Sequence, residues 1–440
     1  MLKLVYMPNV AEKVLIKRQI FEEVARHLDK PEITLITGSR QVGKTVLLDQ
    51  LKDYLLREKQ VSESAILSYN LDLVQDEEIF QDQQAFIDFL RQRSATQKIF
   101  VFVDEAQKVH SAARFFKGVY DSKLANVKLI LTGSSSLEIK TDFKETLAGR
   151  KAIFALSPFT FEEFLAAKDR VLFSYVTSGE KINEIDFRKI NRWYLEYIIF
   201  GGYPRAVLAQ THEEKIDALQ EIYSSYIERD VVGFLEIRNK TAFKRLLKLL
   251  SAQIGQLVNV GELAMHLGVD RETIERHLYA LEQTFVIQEL TPYFRNLRQE
   301  IIKANKVYFL DNGLRNLVLE NFDTMDSRVD KGLVLENAVF SQLSFLMRKK
   351  IGGFHFWRTK QKTEVDFVIE KGNTLLPIEV KWNVRNRSLS AGLRNFINKF
   401  SPKKVVIVSL AEKERKFHFQ NAGVLTTHPV LLERNLKEMI

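Results

Sequence analysis

The sequence lacks cysteine altogether and has no long apolar run. Without a single cysteine in 440 residues, the chain can form no disulfide framework, zinc–thiolate site or thiol nucleophile. No stretch approaches the ~18 consecutive apolar residues of a membrane-spanning helix, and the first residues lack the pattern of a cleavable signal peptide. Hydrophobic residues make up 45% and charged residues 28%, as is ordinary for folded domains. We therefore expect a cytoplasmic protein with no membrane partner, built of about two to four domains.

The positive charge is concentrated at one end of the chain. The formal net charge is +9, yet residues 1–340 carry 46 Lys+Arg against 48 Asp+Glu. Residues 341–440 carry 19 Lys+Arg against 8 Asp+Glu, a net +11. A basic C-terminal region favours a polyanion as partner, with DNA or another nucleic acid first. A solvated basic surface without a partner is the alternative interpretation.

The first 160 residues alternate short apolar runs with helical patterns, which is typical of an α/β fold with a parallel sheet. The runs 99–103 and 129–131 are apolar on both faces, as expected of strands covered by helices on both sides. The predicted strands span residues 33–37, 65–70, 99–104, 127–132 and 152–156.

The middle of the chain is predicted to be helical. Helical patterns occupy residues 161–167, 187–200 and 215–227, and Gly201-Gly202-Tyr203-Pro204 interrupts them with a turn. Residues 241–315 read as a winged helix, with a short helix ending at Gly268 and a second helix capped by Asp270. This module could contact DNA through the second helix or serve only to pack domains together. Residues 321–330 are interpreted as an acidic linker.

A nucleotide-binding motif follows the first predicted strand. The pattern G-x-x-x-x-G-K-[ST] is matched by Gly38-Ser39-Arg40-Gln41-Val42-Gly43-Lys44-Thr45. Its glycines let backbone N–H groups and the N-terminus of the next helix face phosphate oxygens. Lys44 is expected to reach the β- and γ-phosphates of ATP, and the Thr45 hydroxyl to ligate Mg²⁺. A fortuitous glycine turn is the alternative.

A carboxylate pair ends the third predicted strand. Asp104 can hold the magnesium ion through water, and Glu105 can orient and deprotonate the attacking water. The pair therefore predicts hydrolysis of the nucleotide and not binding alone, although such a pair can also cap a helix.

Two further positions are candidates for the same site. Thr132 and Ser134 end another strand and could sense the γ-phosphate, because strand ends face the ligand crevice in open α/β sheets; a helix cap is the alternative. Arg150 is a candidate arginine finger, acting in its own chain or in a neighbouring subunit, or else a salt-bridge partner.

These motifs together resemble the prokaryotic AAA-type ATPases that carry a C-terminal nuclease-like domain. The resemblance covers nearly the whole chain and implies an AAA-like core, a winged helix and a restriction-endonuclease-like end. The implied domains are an ATPase core (1–160), a helical subdomain (161–240), a winged helix (241–318) and a nuclease-like α/β domain (319–440). The resemblance rests on the segments 37–45, 103–107, 132–135, 147–150, 201–204, 226–230, 309–314 and 335–337.

The C-terminal region contains a constellation typical of metal-dependent nucleases. Asp366 and Glu379-Val380-Lys381 fit the pattern D…E-x-K, in which two carboxylates can hold Mg²⁺ and the lysine can position water or stabilise the transition state. Glu336, on the preceding predicted helix, is the expected third carboxylate. The surrounding basic residues would hold a DNA backbone. They include Arg385, Arg387, Arg394, Lys399, Lys403 and Lys404.

The spacing of these strands raises a question of register. A three-residue hairpin loop at residues 371–373 would pair Asp366 with Ile378 and send Asp366 and Glu379 to opposite faces. We therefore predict an irregularity between Gly372 and Ile378, with Pro377 as the natural place for it.

The predicted function is an Mg-dependent ATP hydrolase that acts on DNA through its basic C-terminal domain. One alternative is an ATP-dependent switch or scaffold whose nuclease-like domain only docks a partner. Another is a metal-dependent DNA nuclease gated by ATP. A homo-oligomer, either a ring or a dimer, is compatible with each.

Overall fold

The computed structural model of the protein describes nine stretches of the chain. They are residues 16–134, 146–180, 182–231, 239–294, 304–348, 352–384, 389–411, 413–437 and 439. No helix within these stretches combines the length and the apolar character that a membrane span requires.

The first sheet has five parallel strands in the order β2-β3-β4-β1-β5. Its strands are β1 (Ile33–Gly38), β2 (Ile66–Asn70), β3 (Ile99–Asp104), β4 (Val127–Ser134) and β5 (Lys151–Ala155). The helices of this region are α1 (Phe21–His27), α2 (Lys44–Arg57), α3 (Val74–Glu78), α4 (Gln83–Arg93) and α5 (Ala112–Asp121). All five predicted strands are confirmed within two residues at either end.

The apolar pattern of β3 explains why this sheet is a middle layer. Every residue of β3 is buried. Val101 and Val103 pack into the core on one face, and Phe100 and Phe102 pack into a separate core on the other. Because successive side chains of a strand point to opposite faces, a strand apolar at every position must be covered twice.

A helical region follows the sheet. It comprises α6 (Phe161–Lys168), α7 (Arg170–Ser178), α8 (Glu184–Phe200), α9 (Pro204–Leu208) and α10 (His212–Ile222), which continues as a π-helical segment (Tyr223–Val231). Capping boxes begin α6 at Thr160 and α10 at Thr211, where the threonine and the glutamate three residues later satisfy each other's backbone N–H groups. Gly201 ends α8 and Pro204 begins α9, as the predicted turn requires.

Three helices and a β-hairpin come next. They are α11 (Lys240–Ala252), α12 (Val260–Leu267), α13 (Arg271–Gln283), β6 (Ile287–Leu290) and β7 (Lys306–Phe309), followed by α14 (Asn312–Val318). Gly268 ends α12 with a φ of +66°, and the Asp270 side chain caps α13 by accepting a hydrogen bond from the Thr273 N–H. Both helix boundaries were predicted from the sequence. The loop residues Arg295, Arg298 and Lys303 lie outside the described residues.

The second large sheet is mixed and has the order β12-β13-β11-β10-β9-β8. Its elements are α15 (Lys331–Met347), β8 (Gly353–Arg358), β9 (Glu364–Lys371), β10 (Thr374–Lys381), α16 (Ala391–Phe400), β11 (Lys404–Ser409), β12 (Glu414–Phe419), β13 (Ala422–Thr427) and α17 (Pro429–Lys437). Strands β10, β11 and β13 are parallel, and the remaining neighbours pair antiparallel. Phe164 and Ile198 share one apolar core with Val339, Phe367 and Val406. This core therefore crosses the predicted domain boundaries.

Buried polar side chains join three of the motifs noted in the sequence. Asp311 accepts hydrogen bonds from the N–H of Gly202 at 2.7 Å and of Leu314 at 2.9 Å. The Asn337 amide donates to the Phe309 carbonyl at 2.9 Å and to Asn312 Oδ1 at 2.6 Å, and its Oδ1 accepts from the Phe309 N–H at 2.8 Å. We call Gly202, Phe309, Asp311, Asn312 and Asn337 the motif junction.

Close backbone approach fixes two glycines beside the motif junction. A Cβ on Gly202 would lie 2.1 Å from the Phe159 carbonyl oxygen, and one on Gly313 would lie 2.1 Å from the Phe200 carbonyl oxygen. Neither position can therefore carry a larger residue without a backbone shift. Burial raises the pKa of Asp311 to about 6, although the hydrogen bonds that its carboxylate accepts from backbone N–H groups oppose the rise.

The segment 321–330 is not a free linker, contrary to the interpretation from its acidic residues. Arg328 and Arg315 are almost completely buried, and both form ion pairs with Asp330 Oδ2, at 2.8 and 2.7 Å. Burial of Asp330 opposes its ionisation, but the two guanidinium groups outweigh it and lower its pKa to about 2. The sequence showed the charges but not their distant partner Arg315.

We expect Asp330→Asn to lower the free energy of unfolding by about 3 kcal/mol at pH 7, because it leaves two buried guanidinium groups without their carboxylate. A folded-state pKa below the unfolded one means that the stabilisation is present at neutral pH and is lost as the pH falls toward 2. Urea unfolding of this variant beside the exposed control Asp326→Asn measures the effect. Equal stability of the two variants would contradict the assignment.

Candidate functional site

The phosphate-binding motif forms a tight loop between β1 and α2. Gly43 has a φ of +93° and Gln41 a φ of +59°, so the loop turns through the left-handed region twice. A Cβ on Gly38 would lie 2.3 Å from the Leu156 carbonyl oxygen. The loop ends where α2 begins at Lys44, which directs the helix N-terminus into the loop.

Lys44 is directed toward the same loop. Its side chain is 6% exposed, and its ammonium group donates to the carbonyls of Gly38 at 3.2 Å and Ser39 at 3.0 Å. The positive charge is thereby held inside the curl of the backbone, where a phosphate would meet it.

Three side chains at the strand ends form a hydrogen-bonded set. Thr45 donates to Asp104 Oδ2 at 2.6 Å, and Thr132 donates to Asp104 Oδ1. Thr132 also accepts from the Glu105 N–H at 3.1 Å. Thr132 therefore contacts both candidate carboxylate residues. Ser134 is the last residue of β4, and Ser135 lies outside the described residues.

A hydroxyl and a carboxylate side by side are the protein ligands that suit magnesium in nucleotide sites, with phosphate and water completing its shell. The Thr45–Asp104 pair fits that donor set. Magnesium there would neutralise charge developing on the phosphates.

Glu105 has a strained backbone and a fixed side chain. Its φ of +57° places a non-glycine residue in the left-handed region, at a cost of roughly 1 kcal/mol. Gln107 donates a hydrogen bond from its amide to Glu105 Oε2. The sequence placed Gln107 within a motif but gave it no role; the structure makes it the side chain that orients Glu105.

A cavity of about 980 Å³ lies between the phosphate loop and the helical region. Glu105 and Gln107 line it from the sheet, and Arg205, on α9, lines it from the opposite side. Arg205 also forms an ion pair with Glu221 on α10. No sequence motif singled out Arg205, although it directly follows the Gly201–Pro204 turn. Tyr203, in that turn, donates to Ser39 Oγ at 3.2 Å and so connects the phosphate loop to the motif junction.

Arg150 does not reach this cavity. It pairs with Asp121 at 2.7 Å and lines a different pocket with Arg114 and Lys117. The Arg150 carbonyl accepts a hydrogen bond from the N–H of Ile33, the first residue of β1, whereas the phosphate loop follows the last residue of β1. Arg150 therefore lies at the end of the sheet remote from the phosphate loop. The prediction of an arginine finger that acts on the nucleotide of its own chain is wrong for this conformation. The ion-pair alternative is the contact that the structure shows.

The C-terminal hairpin has a regular register. Lys371 pairs with Thr374 across a two-residue turn, and the pairing continues regularly to Phe367 opposite Ile378. The predicted irregularity between Gly372 and Ile378 is therefore wrong. The turn is one residue shorter than assumed, and the pairing is observed as far as Phe367 opposite Ile378. Continued by one residue, this register would place Asp366 opposite Glu379.

Each of these carboxylates has partners of its own. Asp366 Oδ2 accepts from the Val380 N–H at 2.7 Å, Glu379 Oε1 lies 2.7 Å from Lys381 Nζ, and Ser390 donates to Glu379 Oε2 at 2.6 Å. Burial and the nearby Glu336 raise the pKa of Asp366 well above its usual range. For Lys381 burial acts in the opposite direction, but Glu379 outweighs it and raises the pKa.

Glu336 has different neighbours from those predicted. Tyr308 donates to Glu336 Oε1 at 2.6 Å, and Lys306 Nζ lies 3.5 Å from the same oxygen. We call Glu336, Glu364, Asp366 and Glu379 the acidic cluster. Within the part of the chain that the structure describes, no three acidic or histidine side chains are arranged to hold a metal ion. The predicted set Glu336, Asp366 and Glu379 therefore does not form a metal site as the structure stands.

Exposed basic side chains lie on α16 and at the start of β11. Arg394 and Lys399 lie on the outer face of α16, and Lys403 and Lys404 precede and begin β11; all four are exposed. Arg385 and Arg387 lie outside the described residues.

Family models match three consecutive parts of the chain. Residues 30–165 match the model described as an AAA domain. The first sheet, with its phosphate loop and strand-end carboxylate, lies within the matched residues. Residues 191–325 match the domain of unknown function DUF8612, and residues 331–427 match the domain of unknown function DUF4143.

Curated relatives share most of their length with this chain. An uncharacterized protein of Haemophilus influenzae is 27% identical over 383 residues, which cover 84% of this chain and 88% of the relative. An uncharacterized protein of Mycobacterium tuberculosis is 25% identical over 382 residues, covering 86% and 76% respectively. Both alignments therefore extend well beyond the residues matched by the AAA model.

Two solved structures are similar to this chain at low sequence identity. A Walker-type ATPase of Pyrococcus abyssi is 14% identical, with a TM-score of 0.41, and the match covers 71% of this chain and 98% of that one. The Orc1 protein of Aeropyrum pernix, solved in complex with DNA, is 12% identical with a TM-score of 0.29, covering 70% and 93%.

Proposed function

We propose that the protein is a magnesium-dependent ATP hydrolase that acts on DNA through its basic C-terminal domain. The observation that carries the hydrolase is the set formed by Thr45, Asp104 and Thr132, with Glu105 oriented by Gln107 over the cavity. Lys44 would bind the phosphates, and Glu105 would accept a proton from the attacking water. Arg205, opposite, would sense whether nucleotide fills the cavity.

Residues 239–309 support the winged-helix part of the proposal. Three helices precede the β6–β7 hairpin, and Leu257 bridges to Lys306 as a short third strand. The outer face of α13 carries Arg271, Arg276 and Tyr279 together with Glu272 and Glu275, and all are exposed. These glutamates weaken a DNA-groove role, so we assign this module to packing between domains.

The C-terminal domain is the proposed DNA-contacting part. Helix α16 is capped by Ser390, which donates to Glu379, and Arg394 and Lys399 are exposed on this helix. Exposed arginine and lysine side chains hold phosphates and release counterions, which makes binding depend steeply on salt. The two-residue turn supports the nuclease-like fold, because its register continued by one residue would place Asp366 opposite Glu379. The absence of a three-ligand metal arrangement among the described residues favours holding DNA over cutting it.

Arg150 would act on a neighbouring subunit's nucleotide if the protein forms a ring or dimer. It is about one-third exposed and lies beside Arg114 and Lys117 on a surface pocket. A cationic surface of this kind suits the phosphates of a nucleotide held by another copy.

The decisive experiment is the DNA-dependence of ATP turnover. We expect single-stranded, duplex or branched DNA to raise the ATPase rate several-fold. Replacing both Arg394 and Lys399 by glutamine should remove the stimulation and flatten the salt slope of DNA binding by about 2, one for each phosphate contact. The control Lys59→Gln, in the AAA domain, should keep both. Turnover indifferent to every DNA, together with no salt-sensitive binding, would favour the second candidate, an ATP-dependent switch whose C-terminal domain docks another partner.

A further inference from the structure

Arg18 is a buried arginine beside the phosphate loop. Its side chain is 4% exposed, and each of its three nitrogens donates a hydrogen bond. Nη1 donates to the Val42 carbonyl at 2.6 Å, Nη2 to the Ser157 carbonyl at 2.6 Å, and Nε to Glu163 Oε1 at 3.0 Å. These acceptors belong to the phosphate loop, to the segment that follows β5, and to α6. Because the planar guanidinium group holds its N–H donors in a rigid fork, it fixes the three elements relative to one another.

Glu163 holds the arginine in place. Its side chain is 3% exposed, and Oε1 also accepts from the Gln19 N–H at 2.6 Å. Oε2 accepts from the Thr160 N–H at 2.9 Å and so completes the capping box that begins α6. On another side, the guanidinium carbon of Arg18 lies 4.9 Å from the centre of the Phe159 ring, within the range of a cation–π contact. A side chain locked by this many partners presents its donors to the phosphate loop at a defined place.

The bond to the Val42 carbonyl sets the direction of one backbone N–H of the loop. Val42 and Gly43 are joined by a trans peptide bond, and in such a unit the carbonyl and the following N–H point in opposite directions. With the carbonyl held by Arg18, the Gly43 N–H is directed away from the guanidinium group. Gly43 and Lys44 line the cavity of the candidate site, whereas Arg18 does not. Left-handed residues such as Gln41 and Gly43 occur in the backbone concavities that bind anions.

We propose that Arg18 is a positioning residue for the phosphates of the nucleotide. By holding the Val42 carbonyl outside the loop, it presents the Gly43 N–H to a phosphate oxygen, and the arginine itself does not touch the nucleotide. This role rests on the nucleotide binding of the proposed function but not on hydrolysis or on DNA. Loss of Arg18 should weaken binding without a comparable loss in the chemical step, because none of its three hydrogen bonds goes to Glu105 or to its partner Gln107.

The test compares the full-length wild type with Arg18→Met, Glu163→Gln and the control Lys17→Met. Calorimetry gives the affinities for ATP and ADP, phosphate release gives kcat and KM, and thermal unfolding without nucleotide gives the midpoint. We expect Arg18→Met to bind ATP and ADP at least ~10-fold more weakly, with KM raised to match and kcat within about threefold of wild type. Glu163→Gln keeps Arg18 and its bond to Val42, so it should lower the midpoint by leaving a buried guanidinium group without its carboxylate, yet keep affinity within about threefold of wild type. Lys17 is exposed and pairs with Glu22, so its variant should behave as wild type.

Wild-type affinity in a folded Arg18→Met chain would overturn the proposal, as would a loss confined to kcat. An equal loss of affinity in Glu163→Gln would also overturn it, because the effect would then belong to the buried ion pair and not to the bond with Val42. If Arg18→Met gives no cooperative unfolding transition, the double variant Arg18→Met/Glu163→Gln decides, because it removes both buried charges and still lacks that bond. We expect the double variant to unfold cooperatively and to show the same loss of affinity; wild-type affinity there would overturn the proposal. A wild-type chain that binds ATP without hydrolysing it would contradict the hydrolase alone, whereas one that binds neither ATP nor ADP would contradict both.

Discussion

Replacing Lys44 by alanine is expected to lower kcat/KM for ATP by at least ~100-fold, which corresponds to about 3 kcal/mol of lost transition-state stabilisation. The ammonium group is buried in the curl of the phosphate loop, on the carbonyls of Gly38 and Ser39. A charge held there acts on the phosphates in a poorly hydrated site, where electrostatic stabilisation is strong. Phosphate release from Mg-ATP under steady-state conditions measures the loss.

The matched control for this variant is Lys52→Ala, a lysine of the same helix that pairs with Asp49 on the outer side. We expect Lys52→Ala to hydrolyse ATP at the wild-type rate. DNA binding by Lys44→Ala, measured by anisotropy without nucleotide, should stay close to wild type. Undiminished hydrolysis by Lys44→Ala would remove the catalytic assignment of the loop.

Glu105→Gln is expected to lower kcat by at least ~100-fold while leaving nucleotide affinity within a few-fold of wild type. The substitution keeps the shape of the side chain and its place beside Gln107 but removes the group that accepts a proton. The phosphate loop, Thr45 and Asp104 are unchanged, so binding should survive. Single-turnover hydrolysis and the affinity for a fluorescent ATP analogue separate the two effects.

Glu58→Gln, at the exposed end of α2, serves as the control for Glu105→Gln and should retain full turnover. A variant that loses affinity and turnover in equal measure would show that Glu105 acts in binding. Turnover at the wild-type rate would show that another group activates the water.

The parallel sheet and the phosphate loop were predictable because their signals are local. Strand β3 is apolar from Ile99 to Val103, and the loop motif specifies its own turn. The C-terminal register was missed by a single residue in the length of a turn. Since side chains alternate between faces, that one residue decides whether Asp366 and Glu379 meet.

The remaining errors concern partners that lie far apart in the chain. Arg150 carries the same charge whether it faces a nucleotide or Asp121, so the sequence could not decide between them. Asp330 resembled part of a linker because its partner Arg315 is fifteen residues away along the chain. Lys306 gave no signal at all: a lysine in a short strand is ordinarily exposed, and only the folded chain brings Glu336 and Glu364 to it.

The motif junction sets how this chain can be divided and recombined. Asn337 belongs to the region matched by the C-terminal family model, whereas its partners Phe309 and Asn312 belong to the preceding one. A fragment ending at residue 330 would leave the buried carbonyl and N–H of Phe309 without the amide that satisfies them. A chimera of two relatives joined at residue 330 would keep the Asn337 amide and the Phe309 backbone groups. These groups would then come from different proteins and would still have to meet with hydrogen-bonding geometry. A division between the two matched regions therefore cuts through buried hydrogen bonds of the motif junction.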